Sequence, residues 1–385
     1  MITITTTAAL AEFCERARAH PYVTVDTEFL RERTYYSKLC LVQLAVPGTD
    51  ERDAVLLDPL VADVSMEPLY ELFRDTSVVK VFHAARQDLE IFFIEGGVIP
   101  DPLFDTQVAA MVCGFGEQVG YETLVRKIAG QPLDKSSRFT DWSRRPLSDA
   151  QKTYALGDVT HLRVIYEFLA AKLEETGRAP WVKEELKVLI TPETYITDPP
   201  EAWKRIKTRT NSGKFLAIVR ELAKYREISA QTRNIPRNRI FKDEALLELA
   251  STKPRNLGDL GRSRLLQREA RKGEISDGIL AAISAGLDCK PEDYPKPTGR
   301  KEFLQVNPAL ADLLRVLLKA KCENIGVAQK LIANSSELDQ IASGLRDVKS
   351  LSGWRAEVFG NDAIRLCDGE IGLMAKGSAV KVVEL

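Results

Sequence analysis

An α/β domain followed by two small helical domains is the architecture that this 385-residue sequence predicts. Three observations lead there. Short apolar runs separated by turn-forming stretches crowd the first hundred or so residues. Helix-period segments replace them beyond about residue 200. Two proline-bearing stretches divide the chain into unequal parts.

Taken in order, the first 60 residues read as strands at 22–28, 38–46 and 54–57, with Pro47-Gly48-Thr49-Asp50 as a turn. Strands so closely spaced suit an antiparallel meander. A helix near 65–75 then precedes a strand at 78–82, and a helix near 86–95 precedes a short run around Leu103-Phe104. Further helices follow to about residue 175. Five strands, a meander followed by alternating units, predict a mixed sheet with helices on its faces. Thr191-Pro-Glu-Thr-Tyr-Ile-Thr-Asp-Pro-Pro200 reads as one linker and Cys289-Lys-Pro-Glu-Asp-Tyr-Pro-Lys-Pro-Thr-Gly299 as a second. Helical patterns fill the rest, as in Phe215-Leu-Ala-Ile-Val-Arg-Glu-Leu-Ala-Lys-Tyr225 and Ala309-Leu-Ala-Asp-Leu-Leu-Arg-Val-Leu-Leu318. The expected division is 1–175 for the α/β domain, 176–201 linker, 202–285 first helical domain, 286–302 linker, and 303–385 second helical domain.

Composition sets bounds on function. An apolar fraction of 44% and a charged fraction of 28% belong to an ordinary globular protein. No apolar run approaches the roughly 18 residues of a membrane span, and residues 1–10 lack the basic start and apolar stretch of a signal peptide. The six cysteines at 14, 40, 113, 289, 322 and 367 include no C-x-x-C pair, which argues against a thiolate zinc site or a disulfide framework. A reducing, cytoplasmic setting is expected. The net charge of −1 hides an asymmetry: −10 over residues 1–200 and +9 over 201–290. That contrast suggests a polyanion-binding module joined to one that collects cations. Gly-rich phosphate loops are absent, so no nucleotide cofactor is expected.

Asp26 and Glu28 lie two apart in Tyr22-Val-Thr-Val-Asp-Thr-Glu-Phe29. Side chains alternate along a strand, so the two carboxylates share a face while Val23, Val25, Thr27 and Phe29 take the other. Carboxylates crowded together repel unless a cation or proton intervenes, which makes the pair a candidate divalent-metal site. A second acidic motif is His83-Ala-Ala-Arg-Gln-Asp-Leu-Glu90, with Asp88 in the first turn of a helix; alone, it is explained by the helix dipole. The third is Ser148-Asp-Ala-Gln-Lys-Thr-Tyr-Ala-Leu-Gly-Asp158. Ser148 and Gln151 form a capping-box signature, and Tyr154 and Asp158 then share a helix face. As an isolated spacing that pair could be a surface hydrogen bond.

Together, the three motifs resemble the DEDDy family of 3′→5′ exonucleases, which has a ribonuclease H-like fold. Val25-Asp-Thr-Glu-Phe29, residues 83–90, Asp141-Trp-Ser-Arg-Arg-Pro-Leu147 and residues 154–159 are similar to its ribonuclease D branch. The resemblance covers about residues 1–175. The remainder resembles the helicase-and-ribonuclease-D C-terminal (HRDC) module, most clearly at Asn234-Ile-Pro-Arg-Asn-Arg-Ile-Phe-Lys-Asp-Glu-Ala-Leu-Leu247. A second, more divergent copy ends near Leu351-Ser-Gly-Trp-Arg-Ala-Glu-Val-Phe-Gly360. The resemblance implies a metal-dependent 3′→5′ exoribonuclease that releases nucleoside 5′-monophosphates, with tRNA precursors and other structured RNAs as substrates. It further implies two Mg²⁺ or Mn²⁺ ions held by Asp26, Glu28, Asp88 and Asp158, with Tyr154 orienting the attacking water. Two such ions, roughly 3.5–4 Å apart, would serve attacking and departing oxygens. A phenol of pKa near 10 is too weak a base for more than positioning.

His83 could approach the substrate, although a structural hydrogen bond at the strand end explains it better, and Thr27 and Phe29, bordering the acidic pair, are expected at the RNA. His161 reads as a bystander, and Asp105-Thr106 as a helix N-cap rather than a fifth ligand. Lys135, Arg138, Trp142 and Arg145, with Arg144, mix basic and aromatic groups as single-stranded nucleic acid requires. Lys204, Arg205, Arg237 and Arg239 belong to the basic runs of the middle segment; a solvated face is the bland explanation, but the domain-wide excess and the resemblance to nucleic-acid-binding modules imply RNA contact. A monomer is expected. The rivals are a DNA 3′→5′ exonuclease and a non-catalytic RNA-binding protein that has kept the fold.

Overall fold

The computed structural model describes residues 1–133, 137, 140–210, 212–296 and 305–385. Its first region is built on a six-stranded mixed sheet of order β1-β4-β3-β2-β5-β6. The strands are β1 (Ile2–Ile4), β2 (Tyr22–Leu30), β3 (Lys38–Ala45), β4 (Ala54–Leu57), β5 (Val79–Phe82) and β6 (Leu103–Asp105). β2, β3 and β4 form the antiparallel meander, whereas β5 joins β2, and β6 joins β5, in parallel.

Two features depart from the sequence reading. The sheet has six strands rather than five, because the N-terminal triplet β1 pairs parallel to β4; three residues are too few to display a period. The first 60 residues also contain a helix, α1 (Thr7–Ala17), capped by the Thr6 side chain on Ala9 N–H. Its buried Leu10, Phe13, Cys14 and Ala17 recur at helical spacing.

α1, α2 (Glu67–Arg74) and α3 (Arg86–Gly96) cover one face of the sheet, where Val23, Val25, Val42, Val55 and Leu57 meet Leu10, Phe13, Leu69, Phe73, Leu89 and Phe92. After α4 (Thr106–Val112) and the single turn α5 (Tyr121–Leu124), the long helix α6 (Asp149–Thr176) covers the other face. There Leu41 and Leu56 pack on Ala155, and Thr24 Oγ1 donates to Val159 O at 2.9 Å. The Ser148 capping box that starts α6 is made in both directions.

The stretch expected to be a linker carries α7 (Ala179–Leu186), and the first core draws in Val182, Leu186, Leu189 and Tyr195. A second core gathers Trp203, Leu216, Leu222, Phe241, Leu246 and Ile283 around α8 (Gly213–Thr232). A third gathers Leu314, Leu317, Ile341, Trp354, Phe359 and Ile371. The expectation of a wholly helical C-terminal region is corrected by the antiparallel hairpin β7 (Ile371–Lys376) and β8 (Ala379–Glu384). All six cysteines are free, and among the described residues no helix is long and apolar enough to cross a membrane.

Candidate active site

Strand length creates the opening in which the acidic residues meet. β2 runs nine residues, yet its pairing with β5 ends at Thr24↔Val81 and β5 itself ends at Phe82, so from Asp26 onward β2 projects past the end of its parallel neighbour. The chain leaves β5, turns, and starts α3 at this opening. Crevices beyond the carboxyl ends of parallel strands, where connections part to opposite faces, are where α/β sheets bind ligands. Asp88, in the first turn of α3, accepts a hydrogen bond from the Thr27 hydroxyl. On the other face Asp26 is half-buried in the wall of a cavity of about 270 Å³, lined also by His83, Tyr121, Tyr154, Asp158 and Leu162. Glu28 follows two residues later, beside a bulge between Glu28 and Phe29 that alters the strand's register.

Removal from water, and then the neighbouring Asp158, hold the Asp26 carboxyl well above the usual carboxylate range. Burial, and then Asp26, do the same to Asp88. Among the described residues no three His, Cys, Asp or Glu side chains gather closely enough to form a ready cage. Carboxylates that repel one another stand apart until a cation lies between them. The donor set nevertheless fits hard divalent ions: carboxylate oxygens, partly desolvated, bordering one opening.

A pH dependence follows. Acids whose pKa is higher in the folded than in the unfolded chain contribute stability that is complete below the unfolded value of about 4 and is lost as pH rises through the folded value. The metal-free protein is therefore expected to lose stability from weakly acid towards alkaline pH. A divalent ion, which needs the ionised carboxylates, should restore it. The Mg²⁺-induced rise in Tm should be larger at pH 8 than at pH 5.5; equal rises would contradict the shared site.

The turn that delivers Asp88 is held by Asp105. Its carboxylate accepts from the backbone N–H groups of Ala84 (3.1 Å), Ala85 (2.9 Å), Gln107 (2.7 Å) and Val108 (3.3 Å). Ala84 sits at φ +58°, a left-handed conformation that an alanine adopts only when so held. Asp105 thus caps α4, as its sequence context suggests, and is occupied in doing so. His83 Nδ1 lies 3.0 Å from Thr106 Oγ1, and burial lowers its pKa against the pull of Asp105, leaving a neutral ring in the cavity wall. The sequence reading passed over Tyr121. Its phenol donates to the carbonyls of Asp158 (2.6 Å) and Gly157 (3.1 Å), fixing the turn of α6 that carries Asp158. Those partners lie more than thirty residues away, so no local pattern announces them.

Several residues expected at RNA are employed otherwise. Trp142 is only 2% exposed and lies with Leu41, Leu56 and Ala155, its ring 6.0 Å from that of Tyr154. Buried in that way it cannot stack on a base; it supports Tyr154. Arg145 is turned inward: it donates to Asp58 Oδ1, Cys40 O and Trp142 O, each at 2.7 Å. Arg145→Ala is expected to cost about 3 kcal/mol of stability by stranding the buried Asp58. RNA affinity should be barely altered; a urea melt beside an RNA titration checks this, and unchanged stability would refute it. Thr27 is buried on Asp88, and Phe29 packs partly against the first core. Lys135 and Arg138 lie outside the described residues. Arg144 is exposed beside Asp141.

In the middle region Lys204 pairs with Glu201. Arg237 donates to the buried Glu227 at 2.6 Å and lies over the Tyr35 ring, and Asn234 accepts from the backbone N–H groups of Tyr35 and Tyr36. Those contacts fasten the β2–β3 loop to the second core, so Arg237 is a joint. Arg205 is exposed and, with Arg31, Tyr35, Tyr36 and Arg86, lines a cavity of about 490 Å³ at that joint. Arg239 is exposed.

Comparison with known proteins agrees with this geometry. Residues 1–174 match a 3′-5′ exonuclease family model, and residues 215–283 match the HRDC domain. Ribonuclease D of Jannaschia sp. (strain CCS1) is 65% identical over 383 residues, covering 100% of this chain and 99% of that protein. Ribonuclease D of Granulibacter bethesdensis is 48% identical, covering 99% and 96%. The crystal structure of Escherichia coli RNase D, described as an exoribonuclease involved in structured RNA processing, superposes with a TM-score of 0.82 at 30% identity, covering 95% and 98%.

Proposed function

The chain belongs to the ribonuclease D family of 3′→5′ exoribonucleases, divalent-metal-dependent hydrolases, and on that premise we propose how its own residues divide the reaction. Asp26, Glu28, Asp88 and Asp158 hold two ions, Mg²⁺ or Mn²⁺. When bound, the ions supply an activated nucleophile and stabilise the departing 3′ oxygen. Asp26 takes part in the charge interactions of both Asp158 and Asp88. The Tyr154 phenol, braced by Trp142, directs the attacking water by hydrogen bonding and takes no proton at neutral pH. His83 and Tyr121 keep the wall of the cavity in place. The observation that carries this reading is the one cavity bordered by Asp26, Tyr154 and Asp158, with Asp88 brought to Asp26 through the open edge of β2.

The substrates are RNAs with a single-stranded 3′ end, tRNA precursors and other structured RNAs among them, shortened one nucleoside 5′-monophosphate at a time by a cytoplasmic monomer. Arg205 and Arg239, within the net +9 of residues 201–290, contact phosphates upstream of the end, so affinity should fall with salt. The test uses a 5′-labelled single-stranded RNA and its DNA counterpart, each with Mg²⁺, Mn²⁺ or EDTA. A ladder shortening from the 3′ end of the RNA, absent in EDTA, supports the assignment. Faster attack on the DNA, or cleavage in EDTA, overturns it.

A further inference from the structure

Gln43, in the middle of β3, has no exposed surface, and neither its amide nitrogen nor its amide oxygen has a hydrogen-bond partner. Interior amides are otherwise paired, because an unmade hydrogen bond in the core costs stability. A glutamine left so calls for a physical reason, and its register supplies one. Gln43 stands directly opposite Asp26 on β2 and opposite Leu56 on β4. Residues facing one another across an antiparallel pair share a face and lie in contact range. That face is the one under α6. Leu41, Leu56, Ala45 and Ala155 in this layer offer no polar side-chain atom, and Trp142, packed with them, carries a buried indole Nε1–H that is likewise unpaired. Thr24 is already engaged with Val159 O and Ala45 O. The ionisable side chain that stands directly across the β2–β3 pair from the Gln43 amide is Asp26.

We propose that Gln43 is a positioning residue for the carboxylate centre, its unpaired amide placed to take up the Asp26 carboxylate and adjacent water in the orientation that a bound divalent cation would require. The inference rests on reading Asp26 as a metal ligand. Groups behind a ligand orient it and tune its affinity. An amide suits this place because it both donates and accepts while carrying no charge. A lysine or arginine there would compete with the divalent ion for Asp26, a further carboxylate would add repulsion, and a leucine could orient nothing.

The test is Gln43→Met, which keeps the length and removes the amide, with Gln43→Leu as a second variant. The two readouts are Tm in EDTA and Mn²⁺ affinity by calorimetry. Removing an unpaired interior amide should raise Tm of the metal-free protein by about 2–4 °C. Removing the support behind Asp26 should weaken Mn²⁺ binding by about 10- to 100-fold. A lower Tm in EDTA with unchanged Mn²⁺ affinity, or failure of both variants to fold, would mean that the amide serves the sheet, and overturns the inference. Asp26→Asn is run alongside. If wild type binds Mn²⁺ no better than Asp26→Asn, the metal-site reading itself fails and the inference falls with it. If binding depends on Asp26 but Gln43→Met binds as tightly as wild type, the inference alone fails.

Discussion

Asp26→Asn is expected to reduce RNA hydrolysis by roughly 10⁴-fold, the scale for removing one member of a cooperating catalytic set. Asparagine keeps the shape of the side chain and removes its charge and one strong oxygen donor. Asp26 interacts with Asp158 and Asp88 together, so one substitution weakens every ion site they could share. The same change relieves repulsion. In the metal-free protein at neutral pH the variant should be at least as stable as wild type, the usual opposition between a strained site and a stable fold. Single-turnover degradation of a 5′-labelled RNA, with a melt in EDTA, separates the two effects. Activity within tenfold of wild type would remove Asp26 from the centre. A marked drop in stability would attribute the loss to folding instead.

Arg355→Ala should destabilise the protein by about 3 kcal/mol. The Arg355 side chain is 3% exposed, bridges to Glu185 at 2.6 Å and donates to Leu331 O at 2.8 Å. Beside it Trp354 stacks on Trp181, with centroids 4.5 Å apart and planes within 11°, and its Nε1 donates to Glu185 at 3.1 Å. These contacts tie the third core to α7 and so to the exonuclease region. Burial alone would raise the Glu185 carboxyl; Arg355, with Trp354 and Lys349, reverses that and holds it below the usual range. A depressed acid contributes stability above its unfolded pKa of about 4.3 and loses it as pH falls through the folded value. Removing Arg355 leaves a carboxylate at 8% exposure with the Trp354 Nε1–H and the exposed Lys349 as its remaining partners among the described residues. Calorimetry should then resolve an earlier transition for the C-terminal region. An apolar pair, Arg355→Met with Glu185→Leu, should restore most of the loss. A single unshifted transition in Arg355→Ala would show that the stacked tryptophans suffice.

The meander, the alternating units that follow and the capping box at Ser148 were all legible because each is written in a local period or a fixed short spacing. Asp26 with Glu28, and Tyr154 with Asp158, declare a shared face through strand and helix geometry, and the resemblance to the exonuclease family is what marked them, with Asp88, as a candidate site. β1 escaped because three residues show no period. α1 was readable in Leu10, Phe13, Cys14 and Ala17, but the strand-rich surroundings overrode it. Basic and aromatic residues were the least legible. Trp142, Arg145 and Arg237 have the chemistry of RNA contacts, yet that chemistry serves equally well to fill a core or close a buried ion pair.

The sequence by itself therefore determined the fold class, through periodicity, and the family and the set of candidate carboxylates, through the resemblance that its motifs carry. Only the tertiary structure decided which arginines point inward, that Tyr121 fastens the helix carrying Asp158, and that Gln43 stands unpaired opposite Asp26. Each of those depends on residues outside the local stretch of sequence, and burial, not residue type, selects between a solvated charge and a structural one.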